Sequence, residues 1–239
     1  MQASGQRILI TGGAKGIGLA LTRKFVAAGN TVIIVGRDRA ALTTAAAGLP
    51  AVEIIEADVA TEAGRNDVIQ KAGDVSVLVN NAGVQFNGDF ARISPASIDS
   101  EVGVNLLAPL HLTHALLPRL LEKDEAAVMN VTSILGIVPK QSAAVYCATK
   151  AALHSFTKTL RWQLEQSNVR VMEVVPPVVD TAMTAGRGQG KLAPQAVADA
   201  VWQGYLADTP TIRVGKAGVA AALARWAPSV AERIIRRGD

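Results

Sequence analysis

Residues 8–21 read ILITGGAKGIGLAL. A short apolar run ends at Thr11, glycines follow at 12, 13, 16 and 18, and a helical apolar pattern starts inside the turn. Glycine lets the backbone turn tightly, and it lets a phosphate approach the free N–H groups at a helix N-terminus. Strand, glycine turn and helix in that order predict a dinucleotide cradle running from Gly12 to Gly18, with Lys15, Gly16 and Ile17 inside it.

Outward from this stretch the same alternation repeats. RILIT (7–11), TVIIV (31–35), VEIIE (52–56), VSVLVN (75–80), AAVMNV (126–131), VRVMEVV (169–175) and TIRVG (211–215) read as seven strands. Several are apolar on both faces, as parallel strands covered by helices must be. Helical patterns fall between them, at about 16–29, 38–48, 61–72, 97–122, 145–166 and 194–207. Regular β–α alternation predicts an α/β chain: a doubly wound, Rossmann-type parallel sheet of seven strands with right-handed crossovers. Residues 1–239 are expected to form one domain. TAMTAGRGQGKLAP (181–194) has three glycines and no apolar period, so 184–194 is expected to be a flexible substrate loop.

Composition bounds the function classes. Hydrophobic residues are 49% and charged residues 18%, the balance of a compact folded chain. Cys147 is the single cysteine, so no internal disulfide can form, and a reducing cytoplasm is the expected location. No basic leader with a long apolar stretch opens the sequence, and no apolar run approaches the ~18 residues of a membrane span. Residues 1–184 hold sixteen cations and sixteen carboxylates, while 185–239 hold eight and four. The +4 net charge therefore sits in the last quarter. A broad basic surface and an aromatic stacking set are both missing, which argues against nucleic acid.

The end of the second strand bears on which dinucleotide is bound. An acidic residue there would hold a ribose 2′-hydroxyl. The sequence instead runs VIIVGRDRA, with Gly36 at the expected position and Arg37 after it. Arginine pairs with a 2′-phosphate in bidentate fashion, and Lys15 would add a second cation, so NADP(H) is favoured over NAD(H). Asp38 is the competing candidate, but it is placed to cap the next helix. Asp58 and Val59 are expected to flank the adenine. Asn80 and Asn81 of NNAG (80–83) are expected to hydrogen-bond loop backbone below the ribose.

In SILGIVPKQSAAVYCATK (133–150), Tyr146 and Lys150 are four apart and share one helix face among small alanines. A phenol beside an ammonium suggests an acid being tuned, because a free tyrosine titrates near about 10, too high for proton exchange at neutral pH.

Taken together, TGGAKGIG, the Asp58-Val59 pair, NNAG, Asn105, Ser133 and YCATK resemble the short-chain dehydrogenase/reductase family over residues 7–184. The resemblance implies an oxidoreductase that moves a hydride between a nicotinamide and a carbonyl or secondary alcohol. The segments GVQFNGDF, 134–145 and 181–194 are apolar or small with few fixed charges, so a hydrophobic substrate is expected. It implies that Tyr146 exchanges the proton, and that Lys150 stabilises the phenolate and holds the nicotinamide ribose. Ser133 would then fix the substrate oxygen, and Asn105 would hold a water that relays protons to Lys150. It places Asn81, Ala82 and Gly83 beside the cofactor, Pro176 and Val179 at the nicotinamide carboxamide, and the Thr181 hydroxyl with them. The family usually has Pro-Gly where this chain has Pro176-Pro177, so the local turn is expected to differ. A dinucleotide-binding sensor or scaffold without turnover is the alternative, against which the intact Ser133, Tyr146 and Lys150 argue. A homo-oligomer, dimer or tetramer, is expected through helices 97–122 and 145–166.

Other residues are expected to do ordinary work. His111 and His114 lack further ligands at metal spacing, so no metal is expected, and packing in the core or at an interface is. His154 and Cys147 are also read as packing residues, and Gln85 as a candidate pocket residue. At the end, KAGVAAALARWAPSVAERIIRRGD follows the last strand, with apolar residues at near-helical steps, a break at Pro228 and four arginines. A helical tail over 217–238 is expected to pack on the substrate loop or a partner subunit, with contact to an anionic membrane as the sharper, less favoured alternative.

Overall fold

The computed structural model describes residues 1–186 and 189–236. Seven strands form one sheet: β1 (Arg7–Thr11), β2 (Thr31–Gly36), β3 (Val52–Glu56), β4 (Val77–Asn80), β5 (Ala126–Val131), β6 (Val169–Val175) and β7 (Thr211–Arg213). All pairings are parallel, as the alternation predicted, and the order is β3-β2-β1-β4-β5-β6-β7. In register, Ile8 lies beside Val32 on one side and Val77 on the other.

Side chains alternate along each strand and build a core on each face. Ile8, Ile10, Val32 and Ile34 pack under α1 (Gly16–Ala27), α2 (Arg39–Ala46) and, with Phe25 and Tyr205, α7 (Pro194–Leu206). Leu9, Ile33, Val35 and Leu78 face α3 (Glu62–Lys71) and the helix that carries Leu112, Leu116 and Leu120. On that second face α6 (Ala144–Gln163) is joined to the sheet by Asn130 and Thr157, whose side chains are 2.9 Å apart.

The helix expected at 97–122 is in fact three pieces: α4 (Pro95–Val102), a π-helical stretch over Gly103–Leu107, and α5 (Ala108–Leu121). The cause is in the sequence. Pro109 has no N–H to return to the Asn105 carbonyl four residues back, so the ladder slips there. The Ala108 N–H donates instead to the Gly103 carbonyl, five back. The tail is two helices, α8 (Ala217–Trp226) and α9 (Pro228–Ile235), broken at Pro228 as expected. Among the described residues no helix is long and apolar enough to cross a membrane. Residues 187 and 188 of the expected loop, and Arg237 and Gly238 of the expected tail, lie outside the described residues.

Candidate active site

A cleft of about 440 Å³ opens at the carboxyl ends of the strands, where the strand order reverses between β1 and β4. Gly12, Lys15, Gly16, Ile17, Gly18, Arg37, Asp58, Val59, Asn81, Ala82, Gly83, Ser133, Tyr146, Lys150, Pro176, Val179 and Thr181 all line it, with Gln85. Asn105 does not: it sits behind the wall.

The glycine turn has no room for side chains. Gly12 and Gly16 take φ of +67° and +53°. A Cβ on Gly18 would lie 2.1 Å from the Gly12 carbonyl oxygen, and one on Gly13 would lie 2.5 Å from Ile34. Asn81 locks the turn to β4, its side chain donating to the Thr11 carbonyl at 2.9 Å while its backbone N–H donates to the Thr11 hydroxyl at 3.0 Å. Asn80 behaves otherwise than expected. It points sideways under the sheet to Thr113 (3.2 Å) and Asn130 (2.8 Å), because its strand position faces α5 rather than the loop.

At the end of β2 the charges are paired. Lys15 Nζ lies 3.1 Å from Asp38 and Arg37 lies 3.8 Å from Asp58. Asp38 caps α2 as read from the sequence, accepting the Ala41 N–H at 3.0 Å. That bond and then Lys15 hold its carboxyl below the usual range.

At the other end the groups are buried. Tyr146 and Lys150 lie on α6, which begins at Ala144, and are 9% and 4% exposed. Lys150 Nζ donates to the Val131 carbonyl at 2.8 Å and stands 5.7 Å from the centre of the Tyr146 ring. Burial pushes the ammonium down to about 8. The Ser133 hydroxyl oxygen accepts the Leu135 N–H at 3.1 Å, which leaves its O–H as a donor. Asn105 is committed to Val84. Its amide accepts the Val84 N–H and donates to the Val84 carbonyl, each at 2.9 Å. Its side chain is therefore engaged, and its carbonyl is the one Pro109 cannot serve.

The turn carrying Pro177 leads to Val179, whose carbonyl accepts the Thr184 hydroxyl at 2.5 Å. Of the backbone groups expected to meet a carboxamide, this one is already engaged. The Thr181 methyl lies 2.9 Å from where a Gly16 Cβ would sit, so this loop closes over the glycine turn.

Several residues escaped the sequence reading. A Cβ on Gly136 would lie 2.8 Å from the Lys150 backbone, so only glycine lets the loop after Ser133 pack on α6. Glu173, buried in β6, accepts the Thr132 hydroxyl at 2.7 Å and meets His154 Nδ1 at 2.7 Å. His154 is thus hydrogen-bonded to a buried carboxylate rather than a packing residue, an ion pair when the ring is protonated, and the Glu173 hydrogen bond holds its pKa up. A charged residue inside VRVMEVV was the available signal. Glu101 is also buried; it accepts the Phe86 N–H at 2.9 Å, and burial raises its pKa. Cys147 is buried, as expected, and burial raises its thiol. His111 and His114 are exposed on α5, whose apolar face is carried by its leucines, so of the two expected packing places the core is excluded and an interface is not. Among the described residues no group of three or more His, Cys, Asp or Glu is placed to hold a metal.

The comparisons with known proteins agree with this geometry. The family model described as short chain dehydrogenase matches residues 6–192. An uncharacterized oxidoreductase of Bacillus subtilis, DltE, is 42% identical over 189 residues, which is 77% of this chain and 75% of that protein. Among solved structures, a short chain dehydrogenase from Burkholderia cenocepacia in complex with NADP superposes with a TM-score of 0.88 at 27% identity, covering 96% of this chain and 97% of that one. The 3-ketoacyl-(acyl-carrier-protein) reductase of Brucella melitensis, complexed with NADH, has a TM-score of 0.77 at 30% identity, covering 84% of this chain and 90% of that one. The matched segment takes in the glycine turn, Ser133, Tyr146 and Lys150 alike, and the chain belongs to the short-chain dehydrogenase/reductase family of oxidoreductases.

Proposed function

We propose that the chain is an NADP(H)-dependent oxidoreductase acting on a hydrophobic ketone, aldehyde or secondary alcohol. The observation that carries this reading is a buried Lys150 ammonium above the Tyr146 ring, in the cleft that begins at the glycine turn. The residues present fit a dinucleotide. The crowding at Gly13 and Gly18 leaves backbone alone to meet a pyrophosphate, and Asp58 and Val59 flank the adenine position. Asn81, Ala82 and Gly83 line the ribose side, and Pro176, Val179 and Thr181 the nicotinamide side. When bound, the nicotinamide supplies or takes up the hydride.

The chain's own residues handle the proton and the positioning. Ser133 donates its O–H to the substrate oxygen. Tyr146 gives that oxygen a proton in reduction and removes it in oxidation. Lys150 stabilises the phenolate that remains, and the dry surroundings strengthen this effect. Asn105 fixes Val84 in the wall through its side chain, and its carbonyl is left to accept from a water on the path to Lys150. Arg37 and Lys15 favour a 2′-phosphate: both are exposed and paired only weakly, so they exchange partners at little cost. The solved structures do not decide this preference, because one is in complex with NADP and another with NADH. The pocket wall formed by Val84, Leu135, Val178 and Met183 is apolar, which supports a hydrophobic substrate. We place a dimer contact on α5 and α6, where Leu121 and Trp162 are exposed.

NADPH oxidation against a panel of apolar ketones tests the reading. Turnover in the native chain, reduced about a thousandfold or more in Tyr146→Phe, is expected. Tight NADPH binding with no turnover on any ketone would instead support a sensor.

A further inference from the structure

The tail turns one side to the body of the molecule and the other outward. Ala217 of α8 and Ile235 of α9 join Ile134 and Val175 in one apolar cluster behind the wall that carries Ser133. The Gln141 N–H donates to the Arg236 carbonyl at 3.1 Å and ties the end of α9 to the same wall. The outer residues have no such cover. On α8, Val219 is 73% exposed and Trp226 80%; they are seven apart, so they share a face. On α9, Val230 and Ile234 are 41% and 63% exposed and four apart.

The charge around them is one-sided. Arg213, Lys216, Arg225, Arg233 and Arg236 are all exposed, against the single carboxylate of Glu232. Nineteen cations and nineteen carboxylates are left for the rest of the chain, so this segment carries the whole +4. Among the described residues none of the five cations has a carboxylate at ion-pair distance. Arg225 lies instead over the Trp226 ring, 5.5 Å from its centre. Apolar side chains, a tryptophan and unpaired arginines on short amphipathic helices suit a headgroup boundary, where the rings and alkyl chains enter and the guanidinium groups meet phosphate.

We propose that the outer face of α8 and α9 docks on an anionic lipid bilayer. A second copy of the chain is the other occupant to consider. In a two-fold contact the patch would face itself and bring five unpaired cations against five. An anionic bilayer offers opposite charge throughout. The proposal does not depend on the activity proposed above, and its test reads binding alone.

The test is flotation of the full chain with phosphatidylcholine vesicles carrying about 30% phosphatidylglycerol. The chain is expected to rise with them at about 0.05 M salt and to be largely released at about 0.5 M. Two double variants, Trp226→Ser with Ile234→Ser and Arg225→Glu with Arg233→Glu, are each expected to lower the bound fraction about tenfold. All four side chains are exposed, so thermal melts should match the native chain. Absence of flotation at low salt overturns the proposal. So does equal flotation on phosphatidylcholine alone that is unaffected by Arg225→Glu with Arg233→Glu. Light scattering that shows either double variant breaking an oligomer would assign the face to a second copy instead, and overturn it too.

Discussion

Lys150 at one end of the cleft is 4% exposed, has a backbone carbonyl as its hydrogen-bond partner and stands above an aromatic ring. Lys15 at the other end has a side chain 66% exposed and pairs with a carboxylate 55% exposed. Two lysines in one cleft thus work in opposite solvents. Water screens Lys15, so its pair with Asp38 is weak and exchangeable. Around Lys150 burial limits screening by solvent, so the charge acts strongly on its neighbour, and the fold bears the cost of burying it. The dry end therefore constrains chemistry, while the wet end leaves cofactor choice open to small changes.

Replacing Lys150 is the most forceful way to break this comparison. A lysine held near 8 against an ordinary value of 10.5 is charged at neutral pH at a cost to folding of about 3 kcal/mol. Lys150→Met removes that cost but leaves the Val131 carbonyl without its donor, which returns about 1–3 kcal/mol. A net stabilisation of about 1 kcal/mol, or a rise of about 2–4 °C in Tm, is expected together with a loss of turnover of about a thousandfold. The sign in pH follows. Between about 8 and 10.5 the unfolded chain holds a proton that folded Lys150 has lost, so native stability rises through that window. The Lys150→Met chain lacks this rise. Melts at pH 7 and 9.5 check it, and a Lys150→Met chain less stable than the native one at pH 7 would show that the ammonium is not desolvated.

Arg37 tests the wet end, with a smaller effect. Arg37→Asp removes a cation from the ribose edge and adds an acceptor for a 2′-hydroxyl. The ratio of kcat/KM for NADPH over NADH is expected to fall about 10- to 100-fold, while the melting temperature moves little because the Arg37–Asp58 pair is exposed. An unchanged ratio would remove Arg37 from the cofactor site.

The same distinction explains what could be read from the sequence. The glycine turn, the Asp38 cap and the Tyr146–Lys150 pair each depend on residues within one turn of chain, so their spacing reveals them. The parallel, doubly wound sheet followed from local alternation of strands and helices. What stayed hidden depends on distant partners. Asn105 is visible as a residue, but its link to Val84 spans 21 positions and the π-helical slip that presents it came from Pro109, inside an otherwise unbroken helical pattern. Asn80 and Asn81 are neighbours with identical side chains, yet strand pleating sends them to different partners. His154 looked like packing because Glu173, which decides its charge, lies nineteen residues on in a strand read as apolar.

That histidine is the intermediate case, and it sharpens the comparison with the smallest expected effect. His154 has a side chain 36% exposed, and it pairs with a Glu173 side chain that is 3% exposed. Glu173 also holds Thr132, next to Ser133, at 2.7 Å. The Glu173 hydrogen bond raises the His154 pKa and outweighs burial, which lowers it, together with the smaller opposition of Lys158 and Arg213. A raised histidine contributes stability that is complete below its unfolded value of about 6.5 and is lost as pH rises through the folded value. Native stability should therefore decline slightly as pH rises above about 6.5, opposite in sign to the Lys150 rise. Solvent screening keeps the decline small. In His154→Gln the decline should disappear. If Glu173 sets the position of Thr132, kcat should also lose its dependence on pH in the same window while KM stays fixed. Equal slopes in the native and His154→Gln chains would mean that exposure, and not the buried carboxylate, controls this pair.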